Sequence, residues 1–294
     1  MKRIIRQALC FLNIIILLPY VLTVFINGKD VAVTMRDVEK EIYIERQGKK
    51  GRIPLDEYGT GLLAGEIGVD MNPETLKAQA VLIRTEIYRK IKEEGSDTVF
   101  QKKYQSVAEL KKSWGITYKH RYRKLKKAWE ETEDQILIFK GQPALAPYHY
   151  MSNGYTRNAS EAFGNEDYPY LVSKECSEDT TLEDFQQVRL LPSMKAEITG
   201  KDSKGYVLEV RCGEEVIPAE EFKETYEIPS LSFELEDSAD GLKVISYGSG
   251  HGIGLSQCMA DRLAAKGKNY KEIIQYFFEG TSIEVVAQII TKKD

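Results

Sequence analysis

The longest unbroken apolar stretch comes first: Ala8 to Ile26 reads ALCFLNIIILLPYVLTVFI without a charged residue. These 19 residues, at about 1.5 Å of helical rise each, just cover a hydrocarbon layer of roughly 30 Å. Lys2, Arg3 and Arg6 precede the run, which puts the basic end on the cytoplasmic side. The pattern predicts a cytoplasmic stub over 1–7, a transmembrane anchor over 8–26 and an extracytoplasmic part over 27–294. A cleaved signal and a buried helix are the alternatives. Thr23 to Asn27 offers no small-residue cleavage pattern, while Asn13 and Pro19 weaken a spanning helix. On the anchor reading the protein is a single-pass membrane protein; cleavage would release a secreted form.

Downstream, apolar positions recur over shorter periods. Val31 to Ile44 alternates in part and passes through Gly48 and Gly51 to Ile53-Pro54-Leu55, a pattern for short strands joined by a turn. Leu62 to Ile67 is apolar apart from Glu66. Asn72-Pro73 supplies a cap and a first helical residue, and Leu76, Ala80, Ile83 and Ile87 follow at helical spacing, so a helix is predicted over 73–90. Gln135 to Phe139 and Ala144 to Tyr150 flank a Lys-Gly-Gln-Pro turn and read as a hairpin entering a loop. Strands are predicted over 206–211, 232–236 and 242–247, and helices over 256–265 and 270–278. Strands and helices without regular β-α-β alternation place the chain in the α+β class.

Charge adds something the pattern does not show. The 294 residues carry 41 Lys plus Arg against 45 Asp plus Glu, a net charge of -4. That balance hides opposed segments: Arg89 to Lys127 has a local charge of +9, and residues 161–185 have -7. Tyr104, Trp114, Tyr118 and Tyr122 interleave with the cations of the basic segment. No zinc finger, helix-turn-helix or RNA-binding signature accompanies them, so nucleic acid is not the expected partner. A groove-edge helix or helical lobe over 91–132 is one reading, and a solvated helical face the other. Cys10, Cys176, Cys212 and Cys258 lack any CxxC spacing, which excludes a disulfide-dense scaffold and a local zinc knuckle. A Cys176 to Cys212 bridge stays open.

Several chemistries can then be weighed. GSGHGIG lacks the Lys-Ser/Thr ending of a phosphate loop, and His120, His149 and His251, the only histidines, begin no HExxH motif. Neither Ser152 nor Ser256 sits in G-x-S-x-G. A semi-buried carboxyl suits protonation of a glycosidic oxygen, and Glu66 has apolar neighbours in sequence. Glu74 lies in the first turn of the helix predicted after Asn72, where the helix field favours a held charge, so it is the lesser candidate. A buried salt bridge or a cap is the alternative for Glu66. Arg84 serves either a structural salt bridge or the organisation of a site.

The segments IPLDEY, LLAGEI, PETLKAQAVLIRTEIY, YHYMSNGYT and GHGIGLSQ occur in this order between about Ile53 and Ile283. Together they resemble the family of stage II sporulation protein D and LytB. The resemblance implies a peptidoglycan lytic transglycosylase of sporulation engulfment, with mixed helices and short strands forming a glycan-binding cleft behind one N-terminal membrane helix. It makes Glu66 the single catalytic acid and base. The cleft walls it implies carry Ser152, Asn153, Tyr155, Thr156, His251, Ser256 and Gln257, with Lys77, Arg84, Tyr148 and His149 as further binding or organising residues. No cofactor and no metal are expected. The implied partners are glycan strands stripped of peptide, a cell-wall amidase and other engulfment proteins. Ile67-Gly68 stands where many relatives have Met-Pro, Cys258-Met259-Ala260 follows the SQ pair, and no cysteine occurs near YQSVAELKKSWGITYKHRY, where some relatives carry a metal-binding cluster. The alternatives are a noncatalytic peptidoglycan-binding scaffold and a peptidase or amidase built on His and Ser.

Overall fold

The computed structural model describes residues 41–46 and 48–286. The predicted anchor over 8–26 and the first part of the Val31 to Ile44 segment lie outside them. Among the described residues no helix is long and apolar enough to cross a membrane.

Glu41–Arg46 (β1) and Lys49–Pro54 (β2) form an antiparallel hairpin, with Ile42 and Ile44 of β1 buried. Leu55–Glu66 (α1) follows at once, with Asp56 and Glu57 in its first turn, where the helix dipole favours acids. Its glycines mark close approaches. A Cβ on Gly59 would run into the Trp129 ring, and one on Gly61 would lie 2.6 Å from the Gln105 carbonyl. Pro73–Glu94 (α2) is capped by the Asn72 side chain, which accepts from the Glu74 amide at 3.0 Å. It runs four residues past the predicted end, to Gly95 at φ 102°. Ion pairs Arg89–Glu93 at 2.6 Å and Lys90–Glu94 at 3.8 Å carry this last turn where the apolar period has stopped.

Val99–Phe100 (β3) pairs parallel with β1. Val107–Trp114 (α3) begins with a capping box between Ser106 and Glu109, and Tyr118–Glu130 (α4) packs back on α1 and α2 through Leu125, Ala128 and Trp129. Gln135–Phe139 (β4) is the middle strand of a sheet with Gln142–Pro143 (β5) and Ser282–Val285 (β14). The expected hairpin therefore closes on two residues only. Pro143 and Pro147 lack the N–H groups a second long strand needs. The chain instead leaves β4, and Tyr148–His149 (β6) pairs parallel with Leu255–Ser256 (β13). Ala159–Phe163 (α5) is a short helix in the loops that follow.

Residues 186–247 build a separate β lobe. Gln186–Pro192 (β7), Phe233–Ser238 (β11) and Gly241–Tyr247 (β12) form one sheet in the order β11-β12-β7. Glu197–Lys201 (β8), Val207–Cys212 (β9) and Glu215–Pro218 (β10) form the other, with Ala219–Thr225 (α6) alongside. Val210, Phe222, Phe233 and Val244 centre its own core. Predicted strands 206–211, 232–236 and 242–247 correspond to β9, β11 and β12. The lobe departs and rejoins at one place, where the Gly248 amide donates to the Phe185 carbonyl at 2.7 Å. Gln257–Ala265 (α7), capped by Ser256, and Tyr270–Phe277 (α8), capped by Asn269, complete the body near their predicted limits.

Helix α2 separates the two body cores. Leu76, Ala80, Ile83 and Ile87 face α1 and α4, whereas Ala78, Val81 and Leu82 meet Ala260 of α7 with Ile273 and Phe277 of α8. Cys176, Cys212 and Cys258 are free thiols. The Cys176 to Cys212 bridge left open by the spacing is not formed, because Cys176 belongs to the second body core and Cys212 packs on that of the lobe.

Candidate functional site

Glu66 is the last residue of α1. Leu62 and Leu63 of that helix are buried, and the Glu66 side chain is left 23 % exposed. The Tyr148 hydroxyl donates to Oε2 at 2.9 Å, the Lys102 ammonium stands 3.0 Å from Oε1, and Lys102 also donates to the Tyr148 oxygen at 3.2 Å. The three side chains thus close a triangle. Gln257 of α7 donates through Nε2 to the Glu66 carbonyl at 2.8 Å and to Gln79 Oε1 at 3.1 Å, tying α1, α2 and α7 at this point. The sequence places Glu66 among apolar neighbours. In the fold its carboxylate meets a cation and a hydroxyl, because Lys102 arrives from the segment after β3 and Tyr148 from β6.

A helix C-terminus carries the negative end of the dipole, an unfavourable place for a carboxylate charge. Lys102 neutralises it. Burial, followed by the charge and hydrogen bond of Glu66, pushes the Tyr148 hydroxyl well above the usual tyrosine range, so it stays a proton-bearing donor. Tyr58 is driven up by the same order of causes, burial and then Glu66, and donates to the Lys102 carbonyl at 3.3 Å. A cavity of about 300 Å³ is lined by Lys102 and Tyr148 of the triangle, with Tyr58, Phe100, and Glu86 and Arg89 of α2 also in its wall.

The two glycine-rich segments meet on a residue that sequence reasoning missed. Asp179 Oδ2 accepts from the Ser152 amide at 2.8 Å, the Ser152 hydroxyl at 2.8 Å and the Ser256 hydroxyl at 2.6 Å. Both serines are buried, and so is Asp179, whose carboxyl burial pushes up. Thr156 is buried too and accepts from the Lys174 amide at 2.8 Å. Asn153 reaches the lobe, donating to the Lys204 carbonyl at 2.9 Å and the Ser232 hydroxyl at 3.0 Å, while Tyr155 is 45 % exposed with Lys204 over its ring. Arg157 and Asp202 add a buried ion pair across the same seam at 2.6 Å.

His149 is buried with Nδ1 on the Ile253 carbonyl at 3.2 Å, and His251 accepts the Ile253 amide through Nδ1 at 3.0 Å. Burial, then the His251 neighbour, pulls His149 down to about 3; burial, then Arg157, pulls His251 down to about 4. Both are neutral imidazoles that shape the 248–254 turn, and a Cβ on Gly250 would strike His149.

Three sequence candidates have partners outside the triangle. Glu74 pairs with Lys77 and accepts from the Tyr270 amide at 2.9 Å, and Lys77 also pairs with Glu131 at 3.4 Å. Among the described residues Arg84 makes no salt bridge: 2 % exposed, it lies over the Trp129 ring and donates to the Trp129 carbonyl at 2.9 Å and the Thr132 carbonyl at 2.6 Å, closing the end of α4. Burial pulls this guanidinium down to about 10. Lys102 and Tyr58 went unnoticed in sequence, since nothing separates Lys102 from the other cations of the basic run. Among the described residues no group of three His, Cys, Asp or Glu side chains is placed to hold a metal ion.

The triangle offers a carboxylate with one fixed hydroxyl donor and one cation on a flexible stem, an arrangement able to give and take a proton. The family model described as stage II sporulation protein matches residues 43–139, a span that includes Glu66 and Lys102. The chain is 33 % identical over 265 residues to stage II sporulation protein D of Bacillus subtilis (strain 168), covering 82 % of this chain and 77 % of that one. It is 28 % identical over 291 residues to stage II sporulation protein D of Bacillus amyloliquefaciens, covering 90 % and 84 %. An uncharacterized protein of Brachyspira hyodysenteriae is 26 % identical over 253 residues, covering 78 % of this chain and 66 % of the other.

Proposed function

The chain belongs to the stage II sporulation protein D family, and on that premise we propose that it is a lytic transglycosylase of sporulation. It cleaves the bond from N-acetylmuramic acid to N-acetylglucosamine in peptidoglycan. The observation that carries the reading is the Glu66 carboxyl itself, partly exposed and hydrogen-bonded to a tyrosine that lines a cavity and cannot readily lose its proton.

In the first step Glu66 delivers its proton to the glycosidic oxygen, and the N-acetylglucosamine leaves as an alcohol. The muramyl C6 hydroxyl then closes on C1 and gives its proton to the same carboxylate, which restores the acid and leaves a 1,6-anhydro end. The nucleophile belongs to the substrate, so the second carboxylate of ordinary glycosidases has no task. Tyr148 holds Oε2 throughout, leaving Oε1 to face the reacting oxygen. The 152–157 and 248–257 segments, which the resemblance makes walls of the cleft, are braced through Asp179 and Gln257. In this reading residues 8–26 anchor the chain, the catalytic body lies outside the membrane, and peptide-stripped glycan from an amidase is the substrate during engulfment.

The full chain is incubated with peptide-free and peptide-bearing peptidoglycan, and products are identified by mass spectrometry. Anhydro-muramyl ends are expected. Glu66→Gln retains binding and loses about 10²–10⁴-fold in rate; unchanged product formation by that folded variant removes Glu66 from its role. A noncatalytic scaffold is favoured by one observation, the stacked Tyr118 and Tyr122 rings at 5.3 Å with Lys111 over Tyr118. Glycan binding without any product selects that reading.

A further inference from the structure

A general acid has to carry a proton when its substrate arrives, yet the ammonium 3.0 Å from Glu66 Oε1 is a partner for the anion. The proton and the Lys102 contact compete for the same oxygen. Lys102 is built to yield. Its side chain is 55 % exposed against 23 % for Glu66, while its main chain is held by the Tyr58 hydroxyl on its carbonyl. The head group can therefore swing on a fixed stem. Arg89 and Lys90, the other cations of the adjoining cavity, are already engaged by glutamates of their own helix. Among the described residues Lys102 has its ion pair with Glu66 alone. The titratable groups around Glu66 are Tyr58 from α1, Lys102 from the segment after β3 and Tyr148 from β6, with Glu86 of α2 beside Tyr148.

We propose that Lys102 is the receptor for a carboxylate on the substrate, and that passing its ammonium from Glu66 to that carboxylate opens the oxygen on which Glu66 takes up its proton from solvent. The inference rests on the transglycosylase reading for the identity of the substrate. A muramyl residue supplies the group: its lactyl ether ends in a carboxyl that is free when no peptide is attached and is an uncharged amide when one is. Lys102 thereby selects for the bare glycan and makes anion binding and proton uptake one event.

The probe is the disaccharide N-acetylglucosaminyl-N-acetylmuramic acid, which lacks the scissile linkage, together with its lactyl amide. Each is titrated calorimetrically into the full chain in two buffers of different ionisation heat, which reports protons taken up. The native protein is expected to bind the acid roughly fivefold more tightly than the amide, the scale of one half-exposed charge pair, and to take up protons with the acid only. Glu66→Gln keeps the preference and loses the uptake. Lys102→Met binds both compounds alike, and Lys102→Arg restores the preference. A Lys102→Met protein that still discriminates as the native does, or native binding of the acid without proton uptake, overturns the proposal. Should discrimination follow Lys102 while native protein yields no anhydro ends from peptidoglycan, the cleavage reading fails and the carboxylate receptor stands.

Discussion

Replacing Asp179 tests whether one buried carboxyl joins the two glycine-rich segments. Three donors converge on its Oδ2, at 2.8, 2.8 and 2.6 Å. Alanine leaves all three without a partner. At about 1 kcal/mol for each orphaned donor, with a small void added, Asp179→Ala should cost about 3–4 kcal/mol. Asparagine keeps an oxygen for the same donors and places its amide where Oδ1 now has no partner, so Asp179→Asn should cost about 1 kcal/mol or less. The pH dependence follows from the upward push on this carboxyl. The unfolded chain ionises near the ordinary 3.8, while burial moves ionisation of the folded one to higher pH. Its contribution to stability is thus fully present below 3.8 and lost as pH rises through the folded value. Urea unfolding of the full chain, followed by tryptophan fluorescence at several pH values, measures both effects. The Asn variant should lack that part of the pH dependence. A loss below about 1 kcal/mol for Asp179→Ala, or an Asn variant as damaged as the Ala variant, refutes the reasoning.

Gly252→Ala should lower the thermal midpoint by several degrees, because Gly252 sits at φ 79° and a Cβ there meets the Tyr206 ring; Gly68→Ala, whose nearest contact would be 3.9 Å, is the control that should leave it unchanged. Arg84→Met should cost about 3 kcal/mol in urea unfolding, since it strips the Trp129 and Thr132 carbonyls of their buried donor. The histidine pair works against Asp179. Burial holds His149 at about 3 and His251 at about 4, against 6.5 unfolded. Stability from this pair is present above 6.5 and is lost as pH falls toward those folded values. Acid unfolding curves should show it, with a shallower slope in a His149→Gln protein.

Elements whose physics is local were legible in the sequence. The Asn72 cap and the four-three-four spacing that follows mark α2, and the alternation in 242–247 marks β12. Helix α1 was not legible, because Gly59, Gly61 and Gly65 lower helical propensity. Contacts with Trp129 and Gln105 that lie far along the chain demand two of them. Strand β7 escaped for the opposite reason: Val188 and Leu190 are 56 % and 45 % exposed, so its apolar residues do not report a buried face. Within the site, Glu66, Tyr148 and Gln257 lay in the quoted segments. Lys102 was one lysine in a basic run and Asp179 one acid in an acidic stretch. Their importance comes from partners 36 and 77 positions away respectively, Glu66 and Ser256, and no local pattern encodes that.

The β lobe touches the body at a neck and along a seam. At the neck, Gly248 meets Phe185; along the seam, Arg157 grips Asp202, and Asn153 reaches Lys204 and Ser232. Mechanically this is a lever. A load on the outer strands of the lobe turns it about the neck, and the seam bears the torque. The body's half of that seam is the loop beginning at Ser152, the same loop that Asp179 fastens to Ser256. A pull on the lobe therefore reaches the Ser152 loop and its Asp179 fastening before it reaches the hydrophobic cores.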